Sequence, residues 1–237
     1  MTRAFHICFE GTEGCYKTTN VKALAEALRL DGNKVLETKE PGTSHLPLTM
    51  VLRGIMLDSQ YEMSLTRQAR ELISQAIRSI HLSRLLIPAS DTYDYIVQDR
   101  GFLSGIAYGV ACGNHKSEIK DLLDFIYDGE VQDYDLVIYL QGDAESDLKR
   151  AVTEKQEFEA GDAMEGRGLN FIKEVESNFY DLIKERIIER KNVVIINILN
   201  KSREEILQEI LKAVKATVRM TKLGWPAPPW STSEIKT

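Results

Sequence analysis

Eight residues, Gly11-Thr12-Glu13-Gly14-Cys15-Tyr16-Lys17-Thr18, are spaced to hold phosphate. They follow G-x-x-x-x-G-K-[ST] everywhere except the sixth place, where Tyr16 stands for glycine. Such a loop aims consecutive backbone N–H groups into a concavity at a helix N-terminus, where donors and helix dipole both favour anions. Lys17 would add a positive charge for the β and γ phosphates of a nucleoside triphosphate, and the Thr18 hydroxyl would ligate Mg²⁺. Tyr16 lacks the freedom of glycine, and its ring must leave the cradle. Either the loop keeps an ordinary negative φ here and tolerates the tyrosine, or phosphate binding is impaired; the intact Lys17-Thr18-Thr19 favours tolerance.

The elements around the loop have a regular order. Phe5–Phe9 reads as a strand running straight into the glycine-rich turn, and Lys17–Leu30 as the helix after it. Further apolar runs at Lys34–Thr38, Tyr95–Val97, Leu136–Leu140 and Val193–Ile196 alternate with helical patterns at 46–57, 64–89, 103–112, 117–127, 144–151, 169–189 and 203–218. Five β-branched runs separated by helices indicate an α/β fold, a five-stranded parallel sheet covered on both faces. Ligands of such sheets bind beyond the carboxyl ends of the strands. That singles out the residues after each strand: 11–19, 39–43, 99–105 and the polar stretch following Leu140.

Composition narrows the ligand. The 237 residues carry 30 Lys plus Arg against 36 Asp plus Glu, a net charge of −6, which argues against binding a nucleic-acid polymer but not one small phosphorylated molecule. A hydrophobic content of 43% is enough for a real core, so disordered and collagen-like classes are excluded. No apolar run reaches the roughly 18 residues needed to span a bilayer, and MTRAFHICFEG is too short in its apolar part for a secretory signal. Cys8, Cys15 and Cys112 lack metal-site spacing and fit reduced thiols in a cytoplasm. One domain over 1–223 is expected, with a Pro- and Trp-rich tail over 224–237 that packs on its own domain, frays or meets a partner.

Several motifs in order resemble the thymidylate kinases, which have the P-loop nucleoside monophosphate kinase fold. Phe9-Glu10-Gly11-Thr12-Glu13-Gly14 is similar to that family's FEGxEG opening, and Glu40-Pro41-Gly42-Thr43 to its EPGGT loop. Leu52–Leu57 resembles its xIRxLLL helix, Asp99-Arg100 with Ser104 and Ala107-Tyr108 its DRYxxSSxAYQ signature, and Asp162–Glu165 with Leu169 and Phe171 the end of its lid. The resemblance implies ATP- and Mg²⁺-dependent phosphorylation of a deoxynucleoside 5′-monophosphate by a homodimer. It implies that Arg53 and Arg100 hold the acceptor phosphate, Asp99 supports Mg²⁺ with Thr18, Glu13 reaches the sugar 3′-hydroxyl and Tyr108 crowds out a 2′-hydroxyl. Glu10 more plainly braces the loop than touches nucleotide.

The departures from the family cluster around the base. Where the family stacks its pyrimidine on Phe, this chain has Ser74, although the substrate-helix arginine survives as Arg78. Gly101, Gly105 and Gly109 replace larger residues of the DR signature, so the expected pocket is wider and less selective for thymine. The lid, about 152–168, contains no arginine before Arg167, leaving Arg150 and Arg167 as candidates to neutralise the transferring phosphoryl. A deoxynucleoside kinase of the same fold is a rival reading, opposed by two phosphate-facing arginines; a catalytically silent nucleotide-binding module is another, suggested by Tyr16 and the depleted lid.

Overall fold

A computed structural model describes residues 3–127, 134–156, 164–222 and 230–231. All five expected strands are present: β1 (Phe5–Glu10), β2 (Val35–Lys39), β3 (Tyr95–Asp99), β4 (Leu136–Gln141) and β5 (Val193–Asn197). They pair in parallel, in the order β2-β3-β1-β4-β5. A sixth strand, β6 (Trp230–Ser231), comes from the Pro/Trp-rich tail and pairs in parallel with Val194 and Ile195 of β5. Two residues carry no hydrophobic periodicity of their own; the backbone groups offered by the β5 edge define this strand.

The alternation of side chains along a strand divides the core into two. Ile7, Phe9, Leu136, Ile138, Leu140, Val194 and Ile196 face the helices α1 (Lys17–Leu30) and α9 (Arg203–Lys222), packing on Val21, Leu24, Leu28, Ile206 and Ile210. Their strand neighbours Cys8, Val137, Tyr139, Val193 and Ile195 face the other way. There they meet Leu103 and Ile106 of α5 (Phe102–Ala111), Ile119 and Leu123 of α6 (Lys116–Tyr127), and Phe171, Val175 and Phe179 of α8 (Gly168–Ile188). Both faces of the sheet are therefore buried, as all-parallel sheets require. Between these helices lie α2 (Pro47–Leu57), α3 (Arg67–His81), α4 (Ile87–Ser90) and α7 (Ala144–Gln156). The single long helix expected over 64–89 is instead α3, a wider π turn at Leu82–Leu86 and the short α4, whose second residue, Pro88, has no N–H to continue the ladder.

Register brings the strand ends to one level. Phe9 and Lys39 both lie opposite Asp99, so Glu10, Lys39-Glu40 and Asp99-Arg100 leave the same edge of the sheet together. The loop after β2 is tied to α3 by buried charges. Glu40 accepts from Arg78 Nε at 2.9 Å and pairs with His81 Nδ1 at 3.0 Å, while the other nitrogen of His81 meets Thr38 Oγ1 at 2.7 Å. Burial alone would raise the Glu40 pKa; Arg78 and His81 outweigh it and hold the carboxyl at about 2.

Because the folded value lies below the ordinary 4.5, Glu40 stabilises the fold above about pH 4.5, and that contribution is lost as pH falls from there through about 2. Glu40→Gln leaves the Arg78 guanidinium buried beside a neutral amide, at a cost of about 3–5 kcal/mol at pH 7. Urea unfolding checks this: the stability gap between wild type and variant is expected to be wide at pH 7 and narrower at pH 3, and a gap independent of pH contradicts it.

Candidate active site

The phosphate loop runs directly from β1 into α1. Tyr16 occupies the left-handed region, φ 60° and ψ 22°, which glycine enters freely, rather than the negative φ expected. This strain is of the order of 1–2 kcal/mol for an L-residue. The ring does leave the cradle: it packs at the edge of the α1–α9 core, its centroid 4.3 Å from the Arg150 guanidinium and 5.6 Å from that of Arg203. Such contacts are worth about 0.5–2 kcal/mol each and offset the strain. Gly14, at φ 78°, is required in a second way, because a Cβ there would collide with the main chain of Asp147 on α7. Lys17 is buried and donates Nζ to the Thr12 carbonyl inside the loop, 3.4 Å from Cys15 Sγ.

Arg100, immediately after β3, also has a left-handed backbone (φ 64°), and its buried side chain is the hub of the site. Nη1 donates to the Gly11 carbonyl at 2.9 Å and to Ser104 Oγ at 3.2 Å; Nη2 donates to Glu13 Oε2 and, at 3.3 Å, to the Tyr108 hydroxyl. Burial opposes the charge, but Tyr108, Glu13 and Asp99 outweigh it and raise the pKa of Arg100 further. Glu10 makes no approach to a ligand position. It caps α5 instead, accepting from the backbone N–H groups of Gly101 (3.0 Å) and Ser104 (3.2 Å) and from the Ser104 hydroxyl, and burial raises its pKa. Arg53 of α2 donates to the Pro41 carbonyl at 2.9 Å and lies against Gly42, facing the same cavity as Arg100.

A divalent ion fits beside the loop. The Thr18 hydroxyl bonds Asp99 Oδ2, while Asp99 Oδ1 is buried and without a partner, so the carboxylate keeps an unused acceptor next to the loop. Among the described residues no cluster of three His, Cys, Asp or Glu side chains could hold a metal alone. The arrangement therefore suits Mg²⁺ shared with phosphate oxygens and water, its usual mode with nucleotides.

From Glu13, Arg53 and Arg100 a cavity of about 820 Å³, counted with its open mouth, runs past Ser74, Arg78, Gly105 and Tyr108 to Cys112, Met164 and Ile172. The expectation that three glycines widen it is corrected here, because neighbouring side chains take the space. A Cβ on Gly101 would strike the Tyr134 hydroxyl; one on Gly105 would lie 2.5 Å from Arg78 Nη2, and one on Gly109 2.7 Å from Glu71 Oε2. The glycines admit a polar row instead, in which Arg78 Nη1 donates to Gln75 Oε1 at 2.8 Å and Gln75 Nε2 to Glu71 Oε1 at 2.6 Å.

The two lid-arginine candidates lie apart. Arg150 Nη1 donates to the Gly14 carbonyl of the phosphate loop and to Asp147 Oδ1 at 2.9 Å. Arg167 pairs with Glu62 at 2.6 Å, lies 3.6 Å from Cys112 Sγ and stands over the Phe171 ring. Residues 157–163 of the expected lid, including Asp162 and Ala163, lie outside the described residues. Asp147 escaped the reading of the sequence: its fully buried carboxylate takes Arg150 on one oxygen and, at 3.4 Å, Thr12 on the other, bracing the loop from α7. The only cue in the sequence is Gly142, five residues earlier, whose missing side chain leaves room for that carboxylate.

The model of the thymidylate kinase family matches residues 9–210. The chain is 31% identical to a thymidylate kinase of Halothermothrix orenii, with 90% of this chain and 97% of that one covered. It is also 31% identical to a thymidylate kinase of Prochlorococcus marinus (strain MIT 9515), with 76% and 84% covered. In fold it is similar to the crystal structure of thymidylate kinase from Ehrlichia chaffeensis, with a TM-score of 0.66 at 22% identity over 89% of this chain and 98% of that one. A phosphate loop, an arginine hub joining it to a cavity, and this kinship agree: the chain belongs to the thymidylate kinase family and is a nucleoside monophosphate kinase, a phosphotransferase.

Proposed function

We propose that the protein transfers the γ-phosphoryl group of ATP to the 5′-phosphate of a deoxynucleoside monophosphate whose base is not confined to thymine. The observation that carries this reading is Arg100, which bonds the donor loop at Gly11 and Glu13 and lines the acceptor cavity together with Arg53. Two guanidinium groups at that place suit an acceptor that already carries a phosphate, and their planar forks hold it bidentately. An anionic phosphate oxygen attacks the γ-phosphorus, the bond to the β–γ bridging oxygen breaks, and ADP leaves. No general base is needed, because the attacking oxygen carries no proton to remove, in contrast to a 5′-hydroxyl acceptor.

The chain's own part is positioning and charge. Backbone N–H groups of residues 11–19 cradle the ATP phosphates, Lys17 turns from the Thr12 carbonyl to them, and Arg150, already on the Gly14 carbonyl, faces the transferring group. Arg167, paired with Glu62 beside Cys112, is farther from the loop than Arg150, which bonds Gly14 directly. Thr18 and Asp99 hold Mg²⁺, which supplies charge neutralisation to the phosphates. Glu13 takes the sugar 3′-hydroxyl, and Tyr108, fixed by Arg100 and set edge-on to Phe171, leaves room for deoxyribose.

At the base end, Ser74 supplies no stacking surface, a loss of about 1–3 kcal/mol by analogy with aromatic platforms. What remains for the base is the polar row, with Arg78 Nη2 at the cavity wall against Gly105. A guanidinium donor suits an oxo group, thymine O4 or guanine O6, over an exocyclic amine. Exposed Leu48, Val51 and Ile55 fall on one face of α2, beside exposed Leu72 of α3, and support a homodimer through these helices. Free cysteines support a cytoplasmic location, and no described helix is long and apolar enough to cross a membrane.

A coupled ADP-release assay with dTMP, dGMP, dAMP and dCMP tests the base reading. Values of kcat/KM for dTMP and dGMP within about a hundredfold of each other are expected, and a larger preference for dTMP contradicts it. Asp99→Asn should raise the Mg²⁺ concentration needed for half-maximal rate at least tenfold while leaving acceptor KM within about threefold. An unchanged Mg²⁺ requirement removes Asp99 from the metal site.

A further inference from the structure

Tyr16 is the one residue of the phosphate loop that breaks the motif, and nothing in the chemistry above uses it. Its ring is nonetheless held by two cations from two elements, Arg150 of α7 at 4.3 Å and Arg203 at the start of α9 at 5.6 Å. We infer that Tyr16 is a positioning residue that holds Arg150 over the phosphate loop, so that restoring the motif's glycine lowers turnover.

The argument is geometric. Arg150 has 25% of its side chain exposed and, among the described residues, is otherwise held through one nitrogen, Nη1, by its bonds to Gly14 and Asp147. A long side chain tied at a single atom keeps the freedom to swing its charge away from the loop. The Tyr16 ring restricts the rest of the guanidinium through its π face. With this left-handed backbone the ring lies toward α7 and α9, so the strained φ and the position of the arginine are parts of one arrangement. Arg203 approaches the same ring from α9, giving it a second anchor when ligands come and go. In a chain with no arginine between 150 and 167, placement of this cation matters more than it would beside a lid rich in arginine.

The inference rests on Arg150 serving the transferring phosphoryl, and the test separates the two. Tyr16→Gly is free to keep φ near 60° and so to keep the loop folded. Turnover is measured at saturating ATP and dTMP for Tyr16→Gly, Tyr16→Phe, Arg150→Ala and Tyr16→Gly/Arg150→Ala, with circular dichroism as the check on folding. Arg150→Ala is expected to lower kcat about a hundredfold, the scale for removing one preorganised cation or donor. Tyr16→Gly should lower kcat at least tenfold with acceptor KM within about threefold, Tyr16→Phe should recover most of that loss, and Tyr16→Gly should add less than threefold in the Arg150→Ala background. Wild-type kcat in Tyr16→Gly with an impaired Arg150→Ala overturns the positioning role and leaves Arg150 in place. Losses that simply multiply in the double variant also overturn it. A silent Arg150→Ala overturns the role assigned to Arg150, and this inference with it.

Discussion

A single buried guanidinium links the two halves of this kinase. Arg100 stands at the C-terminal end of β3 and spends its donors on both substrates' elements: Gly11 and Glu13 of the ATP loop, Ser104 and Tyr108 of the helix that walls the acceptor cavity. A charge this far from water is tolerated only when its donors are met, so the loop, the capped start of α5 and the strand end must keep their relative places. Glu10 enforces this from the adjacent strand: its buried carboxylate caps the helix that carries Ser104 and Tyr108. The proposed spacing of donor and acceptor phosphates would thereby be set by adjacent strand ends.

A second set of buried charges ties the loop after β2 to α3 and lines the part of the cavity proposed to take the base. Glu40 anchors Arg78 through Nε, Gln75 accepts from its Nη1 and in turn donates to Glu71, and the glycines of α5 make room for that row. Replacing an aromatic stack by a hydrogen-bonded row changes what the pocket measures. A stack rewards any flat base, whereas a fixed donor rewards an oxygen in one position, and the proposed base choice rests on that difference rather than on a larger cavity.

Much of this was legible in the sequence because it is local. Strand–glycine turn–helix, five β-branched runs and the Asp99-Arg100 pair at a strand end each follow from neighbouring residues, and the structure has the strands where the runs lie. What was not legible is long-range. Nothing near Gly105 announces that its missing Cβ is filled by Arg78, nor does the 144–151 pattern announce that Asp147 will lie under Gly14. Both depend on which helices the sheet order makes adjacent. Tyr16 shows the other limit: residue type alone argues for a negative φ, but the loop's need for a left-handed turn and two waiting guanidiniums prevail over intrinsic preference.

The account depends most on the forked geometry of Arg100, as distinct from its charge. The direct measurement is kcat/KM for dTMP in Arg100→Lys, which keeps the positive charge but has no planar fork to bridge Gly11, Ser104, Glu13 and Tyr108 at once. A fall of about a hundredfold or more in a protein that remains folded is the predicted result, and a value within about threefold of wild type would contradict the account.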